Sequence, residues 1–203
     1  DTFPTQNRAV TQADYENIAY RLPGKFGSVK RVSVQKDQDS AKRNLNMYVV
    51  SEDSFGKLIQ TNTTIKNNLK IWLNQYRMMN DTIDILDPYI INLGIDFVAK
   101  GSSGTNKFNV LQRAIKALKE RYKGCYYIGE PFYISDVYSV LKGVDGILDV
   151  TRVNIRNKTG PNYSSITLDI GDNLSPDGSY LVVPKNALVE IKYPDVDIKG
   201  RIR

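Results

Sequence analysis

Residues 89–100 read Tyr89-Ile-Ile-Asn-Leu-Gly-Ile-Asp-Phe-Val-Ala-Lys100, and their pattern decides the fold. Tyr89, Ile91, Leu93, Ile95, Phe97 and Ala99 alternate with Ile90, Asn92, Gly94, Asp96, Val98 and Lys100, so an extended chain lays one continuously apolar face. A helical period stands on each side of this strand. Upstream, Ile65, Leu69, Trp72, Tyr76 and Met79 recur every three or four residues, the core stripe of a helix of about four turns. Downstream, Gly101-Ser-Ser-Gly104-Thr-Asn106 makes a turn, and Asn106 caps a helix whose stripe is Leu111, Ile115, Leu118 and Tyr122.

Working outward, Thr11 to Tyr20 reads as a short helix. Thr11 can cap its free amides, Asp14 completes a capping box, and Tyr15, Ile18 and Ala19 form its apolar face. Pro23 and Gly24 stop it. Val29–Gln35 and Leu45–Ser51 then alternate as a long-looped hairpin. Later, a helix over Ser135–Lys142 stops at Gly143 and feeds a strand over Ile147–Ile155. The beginning is echoed here: Asp14 opens a helix followed by Gly24-x-x-Gly27 and a strand, and Asp136 opens one followed by Gly143-x-x-Gly146 and a strand. The glycines are read as supplying backbone freedom at these turns. Ile166–Ile170, Tyr180–Val183 and Leu188–Tyr193 read as short strands between turn sequences, with Pro184 and Pro194 suited to exposed edges. The expectation is an α+β fold: two small related α/β units, residues 1–88 and 89–158, followed by a β-rich terminal element, residues 159–203.

Composition narrows the chemistry. The 203 residues are 41% apolar and 25% charged, as in a folded soluble chain. No apolar run approaches the roughly 18 residues of a membrane helix, and DTFPTQNRAV lacks a signal-peptide layout. The start at Asp1 rather than Met reads as part of a longer polypeptide. The absence of His and the single cysteine, Cys125, exclude His-based triads, His or Cys metal clusters and internal disulfides within this chain. The lone thiol fits a reducing cytoplasm.

The net charge of +6 invites a nucleic-acid reading, and six basic residues against Glu120 fall between Lys107 and Lys123. Lys123-Gly-Cys-Tyr126-Tyr127-Ile-Gly129-Glu130 partly matches the aromatic strand of an RNA-recognition motif. Tyr126 takes its small-residue slot and Glu130 its last aromatic slot, so packing is the preferred reading. An RNA- or DNA-binding module built on the 107–123 helix and the Tyr126/Tyr127 strand is therefore the alternative function. Gly101 to Lys107 has the order of a phosphate-binding nest but not P-loop spacing. Asp84 with Asp87, and Asp195 with Asp197, are the nearest approaches to paired carboxylates; turn formation accounts for Asp87 and edge-strand solvation for Asp195 and Asp197. Cys125 beside Lys123 has no His base, so a buried apolar thiol is expected rather than a nucleophile. No catalytic residue, cofactor or metal ligand is assigned.

Arg8-Ala-Val-Thr11-Gln-Ala-Asp14-Tyr15-Glu-Asn-Ile-Ala19, then Pro23-Gly24 and a Val-rich strand, resembles the Arg-Ala-x-Thr-x-x-Asp-Tyr-Glu-x-x-Ala signature of baseplate J-like proteins. Ile128-Gly129-Glu130-Pro131, Ile134-Ser-Asp136-Val137 and Gly143-Val144-x-Gly146-Ile147 resemble the second half of that family. The match runs from about Arg8 to Ile155, and the style is most similar to the wedge proteins of large contractile-tailed phages, of which this would be a carboxy-terminal portion. The resemblance implies a structural subunit without enzymatic activity. It implies a homodimer or ring contacts around the tail hub, contacts with other wedge subunits, and coupling of baseplate shape to sheath contraction. It also implies a place in the virion tail baseplate, assembled in the host cytoplasm; no membrane is expected, and nucleic acid is the disfavoured partner. Its motif residues Arg8, Thr11, Asp14, Tyr15, Ala19, Gly24, Gly129, Glu130, Asp136, Gly143 and Gly146 are expected to do structural work. Many Tyr, Arg and Lys side chains with short edge strands suit large, partly polar interfaces.

Overall fold

A computed structural model describes residues 8–37, 44–124 and 126–203, and the chain divides into two compact units, Asp1–Pro88 and Tyr89–Arg203. Both mix helices with small sheets, an α+β fold. No helix among the described residues is long and apolar enough to cross a membrane.

The first unit opens with helix α1, Gln12–Tyr20, begun by the expected capping box: Asp14 N donates to Thr11 Oγ1 (3.2 Å) and Thr11 N to Asp14 Oδ2 (2.8 Å). A 3-10 turn, Gly24–Phe26, leads to strands β1, Arg31–Lys36, and β2, Asn44–Glu52, which pair antiparallel. Next come β3, Leu58–Gln60, helix α2, Thr63–Asn74, and β4, Thr82–Leu86. β3 pairs antiparallel and β4 parallel with β2, which becomes the centre of a four-stranded sheet. β3 and β4 are too short to show a period, and only pairing with β2 makes them strands. The apolar stripe outruns α2, which ends at Asn74. Tyr76 turns back edge-on against Trp72 (centroids 5.1 Å) and Met79 is 96% exposed instead of packed.

The core of this unit joins Tyr15 and Ala19 of α1, Leu69 and Leu73 of α2, and Val34, Met47 and Val49 of the sheet. Each such buried Leu or Val contributes about 1.5–3 kcal/mol. β1 pairs only with β2 among the described residues, and its outer edge is covered by α1. Val32 N donates to the Tyr20 hydroxyl (2.9 Å) and Val34 N to Glu16 Oε1 (2.8 Å). Side chains of the helix thus satisfy amides that would otherwise recruit another strand.

The second unit is built on β5, Tyr89–Gly101, with Ile91, Leu93, Ile95, Phe97 and Ala99 buried as the alternation requires. In chain order follow α3, Lys107–Arg121; β6, Phe132–Tyr133; α4, Ile134–Lys142; β7, Ile147–Asn157; and a single helical turn α5, Ile170–Asn173. β8, Tyr180–Leu181; β9, Ala187–Glu190; a second turn α6, Pro194–Asp197; and β10, Ile198–Ile202, complete it. β7 runs antiparallel along Leu93–Gly101 of β5. On the other edge of β5, β9 pairs parallel with Tyr89–Asn92 and β10 with Ile95–Ala99, so α6 is an excursion between two strands that share one neighbour. Residues 159–203 therefore lie inside the second unit.

Several local expectations are corrected here. Residues 166–169 are not a strand; Asp169 caps α5 instead, its carboxylate accepting from Asp172 N (3.1 Å). The Tyr180–Val183 strand shrinks to Tyr180–Leu181 against β6, and Leu188–Tyr193 shifts to Ala187–Glu190. Pro194 opens a helical turn rather than guarding an edge, its fixed φ suiting the first helical position. The buried stripe of α3 is Val110, Ala114 and Leu118, with Leu111 and Ile115 only half-buried, because small Val and Ala let the helix approach Gly146. Gly146 (φ 93°) and Gly27 (φ 110°) do need glycine; a Cβ there would strike Val110 and Ile65 respectively. Gly24 has open space around it and Gly143 ends α4 at an ordinary φ of −77°, so neither supplies unusual backbone freedom.

Candidate functional site

In the first unit Tyr15 organises a turn. Tyr15 is fully buried; its hydroxyl donates to Asp81 Oδ2 (2.6 Å) and accepts from Met78 N (3.2 Å), while Arg77 Nη1 donates to the Asp81 carbonyl (2.6 Å). Ala9 N adds a bond to the Tyr76 carbonyl (2.9 Å). Tyr15 thereby pins the segment joining α2 to β4, while Ala19 fills the core beside it. Two backbone amides and the Thr11 hydroxyl lower the pKa of exposed Asp14, as expected for a carboxylate capping a helix start. Arg8 is exposed on the rim of a shallow hollow with Arg77 and Met79.

In the second unit two of the motif residues, Glu130 and Asp136, lie on an aromatic cleft of about 190 Å³, lined also by Arg121, Tyr122, Tyr126, Tyr127, Pro131, Phe132, Tyr133 and Val189. Gly129 (φ 75°) lets the Gly-Glu turn lie against the Lys185 backbone and donate from its amide to the Ala187 carbonyl (2.7 Å). That turn sets Glu130 on the cleft. Asp136, in the first turn of α4, accepts from Arg121 Nη2 (2.6 Å), tying α4 to the end of α3. Tyr122 stacks on Phe132 (5.5 Å, 25°), and the Arg121 guanidinium lies over the Tyr122 ring, 5.5 Å from its centroid. Its hydroxyl is sealed from solvent and has no hydrogen-bond partner among the described residues. Burial raises the Tyr122 pKa beyond the ordinary phenol range; Arg121 opposes this and Asp136 adds to it, so the phenol stays protonated.

The arrangement required for base stacking is not assembled. Tyr126 and Tyr127 lie outside any strand; Tyr126 is buried, its hydroxyl accepting from Ile191 N (3.0 Å), and Cys125 lies outside the described residues. On α3, Arg113 pairs with Asp145 (3.1 Å), Arg121 with Asp136, and Lys119 with Asp195, so carboxylates from other elements neutralise half of the basic segment. A phosphate track needs such cations facing the ligand. Among the described residues no cluster of three His, Cys, Asp or Glu could hold a metal ion.

Asp197 belongs to a buried polar web that residue spacing did not disclose. It is fully buried rather than solvated on an edge, because Lys158 Nζ (3.2 Å), the Tyr163 hydroxyl (2.7 Å) and Tyr193 N (2.9 Å) converge on its carboxylate. Nearby, buried Asn92 donates to Glu190 Oε2 (3.2 Å) and accepts from Ser164 N (2.7 Å). The one signal available was Asn92 itself, an amide inside an apolar strand, which demands partners.

No protein-family model matches the chain, and no curated protein matches its sequence. Among solved structures, its fold is similar to that of a chain in the cryo-EM structure of the anti-feeding prophage (AFP) baseplate, 6-fold symmetrised. The TM-score is 0.54 at 10% sequence identity, over 92% of this chain and 38% of that one. This chain thus spans well under half the length of that protein, and the likeness is one of fold.

Proposed function

We propose that this chain is a structural subunit of the baseplate of a contractile injection machine, in the finer reading a wedge subunit of a contractile phage tail. It would encircle the hub through self-contacts and contacts with other wedge proteins, and couple baseplate rearrangement to sheath contraction. The observation that carries the reading is the fold similarity to an AFP baseplate chain over 92% of the residues. The ordered match of Arg8–Ala19 and of residues 128–147 to the baseplate J-like signature supports it from the sequence side. Exposed apolar side chains in each unit, Phe55 and Ile71 in the first, Phe108 and Leu148 in the second, supply anchors of the kind that assembly interfaces bury.

The test is the molar mass of the purified chain by light scattering behind size exclusion, over a concentration series, with and without a short mixed-sequence duplex. A dimer or larger species indifferent to DNA supports the reading. A monomer that shifts on adding DNA, with binding that weakens steeply between about 50 and 200 mM salt, overturns it.

A further inference from the structure

The cleft beside the Gly129-Glu130 turn contains two polar groups that the fold leaves unused. The Tyr122 hydroxyl has no partner among the described residues, although Tyr122 is only 6% exposed and a buried donor of this kind is ordinarily satisfied. Glu130 carries an exposed carboxylate with no cation beside it among the described residues, whereas neighbouring Arg121 is already matched by Asp136. The charge left over in the cleft is one negative charge, set among the rings of Tyr122, Phe132 and Tyr133 and the ring of Pro131.

We propose that this cleft takes an arginine side chain carried on an extended segment of a neighbouring protein subunit, its guanidinium meeting Glu130 and a backbone carbonyl of the segment accepting from the Tyr122 hydroxyl. A guanidinium fits on two counts: its fork matches a carboxylate with two parallel hydrogen bonds, and its plane stacks on aromatic rings such as the 43% exposed Tyr133. Lysine, a compact and strongly hydrated point charge, uses neither feature. Reaching the sealed hydroxyl requires side chains over it to change rotamer, the commonest adjustment when interfaces form. The inference rests on the assembly reading for the partner being a protein subunit.

The experiment titrates the complete, 15N-labelled chain with acetyl-Gly-Arg-Gly-amide, and separately with the Lys and Glu analogues, following amide resonances. Saturable shifts confined to residues 121–136 and 189, with the arginine peptide alone, are expected. Glu130→Gln should weaken binding about tenfold and Tyr122→Phe about threefold to tenfold. Because Tyr122→Phe removes an unpaired buried hydroxyl, its melting temperature should equal or exceed that of the wild type. No saturable shift up to about 10 mM peptide, shifts scattered over the surface, equal binding of the lysine peptide, or unaltered affinity in both variants would each overturn the proposal. Arginine-peptide binding by a chain that associates with neither itself nor wedge subunits would sink the assembly reading and leave the cleft standing. Association that Glu130→Gln leaves untouched would do the reverse.

Discussion

Lys158 Nζ lies 3.2 Å from Oδ1 of Asp197, a carboxylate with no exposed surface. The pair fills the gap over Gly94, where a Cβ would strike both the Lys158 side chain and the Asp197 carbonyl. It stands where the chain leaves the β5 edge after β9 and rejoins it as β10, so one glycine and one ion pair set the geometry of that excursion.

Removing one partner strands the other. Asp197→Ala is expected to destabilise the chain by about 3–5 kcal/mol in urea unfolding, since Lys158 is left with a largely buried, unmatched charge. Lys158→Met together with Asp197→Leu should recover only the part due to the stranded lysine, because the Tyr163 hydroxyl and the Tyr193 amide still lose their acceptor. A single variant within about 0.5 kcal/mol of wild type would show that the pair is solvated in solution.

Tyr163 reports on the same web. Burial first, then its hydrogen bond to Asp197, raises its phenol to about 12. Unfolded, it would titrate near 10. The fold therefore favours the protonated phenol; this stabilisation is complete below about pH 10 and is lost as pH rises through about 12. Between those values the stability of wild type should fall with pH more steeply than that of Tyr163→Phe, measured by denaturant midpoints. Parallel slopes would contradict the shift.

Gly200 in β10 lies against the ring of Phe97 in β5, so closely that a Cβ would enter the ring's van der Waals shell. Phe97 is itself buried and cannot swing aside. Gly200→Ala should cost about 1–3 kcal/mol, and adding Phe97→Leu should cost less in that background than in wild type. Additive effects in the double-mutant cycle would rule out the clash.

Tyr15→Phe removes the buried donor to Asp81 and the acceptor for Met78 N, with an expected loss of about 1.5–3 kcal/mol because the acceptor is a carboxylate. Hydrogen exchange should quicken at residues 76–82 before it does in β1 or β2. Uniform quickening across the first unit would mean that Tyr15 serves the core generally and not the turn.

At the start of α1, Thr11→Ala should cost about 0.5–2 kcal/mol by losing the cap, and Asp14→Ala should also lower the melting temperature. The Asp14 pKa is lowered in the fold, so its contribution is present above the ordinary carboxylate range and fades as pH falls through the depressed value. Asp14→Ala and wild type should therefore converge in acid; an unchanged gap would point to some other role for Asp14.

What could be read from residues alone was whatever neighbours in the chain decide. The caps at Thr11 and Asn106 join groups two or three positions apart, and the β5 alternation needs only a face to bury, so both were legible. β3, β4 and β10 were not, because three to five residues carry too little pattern and their ladders come from distant strands, as where Ile198 sits beside Ile95. The same holds for polar residues. Asp197 reads as a solvated carboxylate until folding brings Lys158, Tyr163 and Tyr193 around it, and Tyr122 reads as one of a helix stripe until Phe132 and the Gly129-Glu130 turn enclose it. Local hydrogen bonding and periodicity are properties of the sequence; burial, pairing and unpaired groups belong to the tertiary structure, since their energies depend on atoms that the chain brings together only by folding.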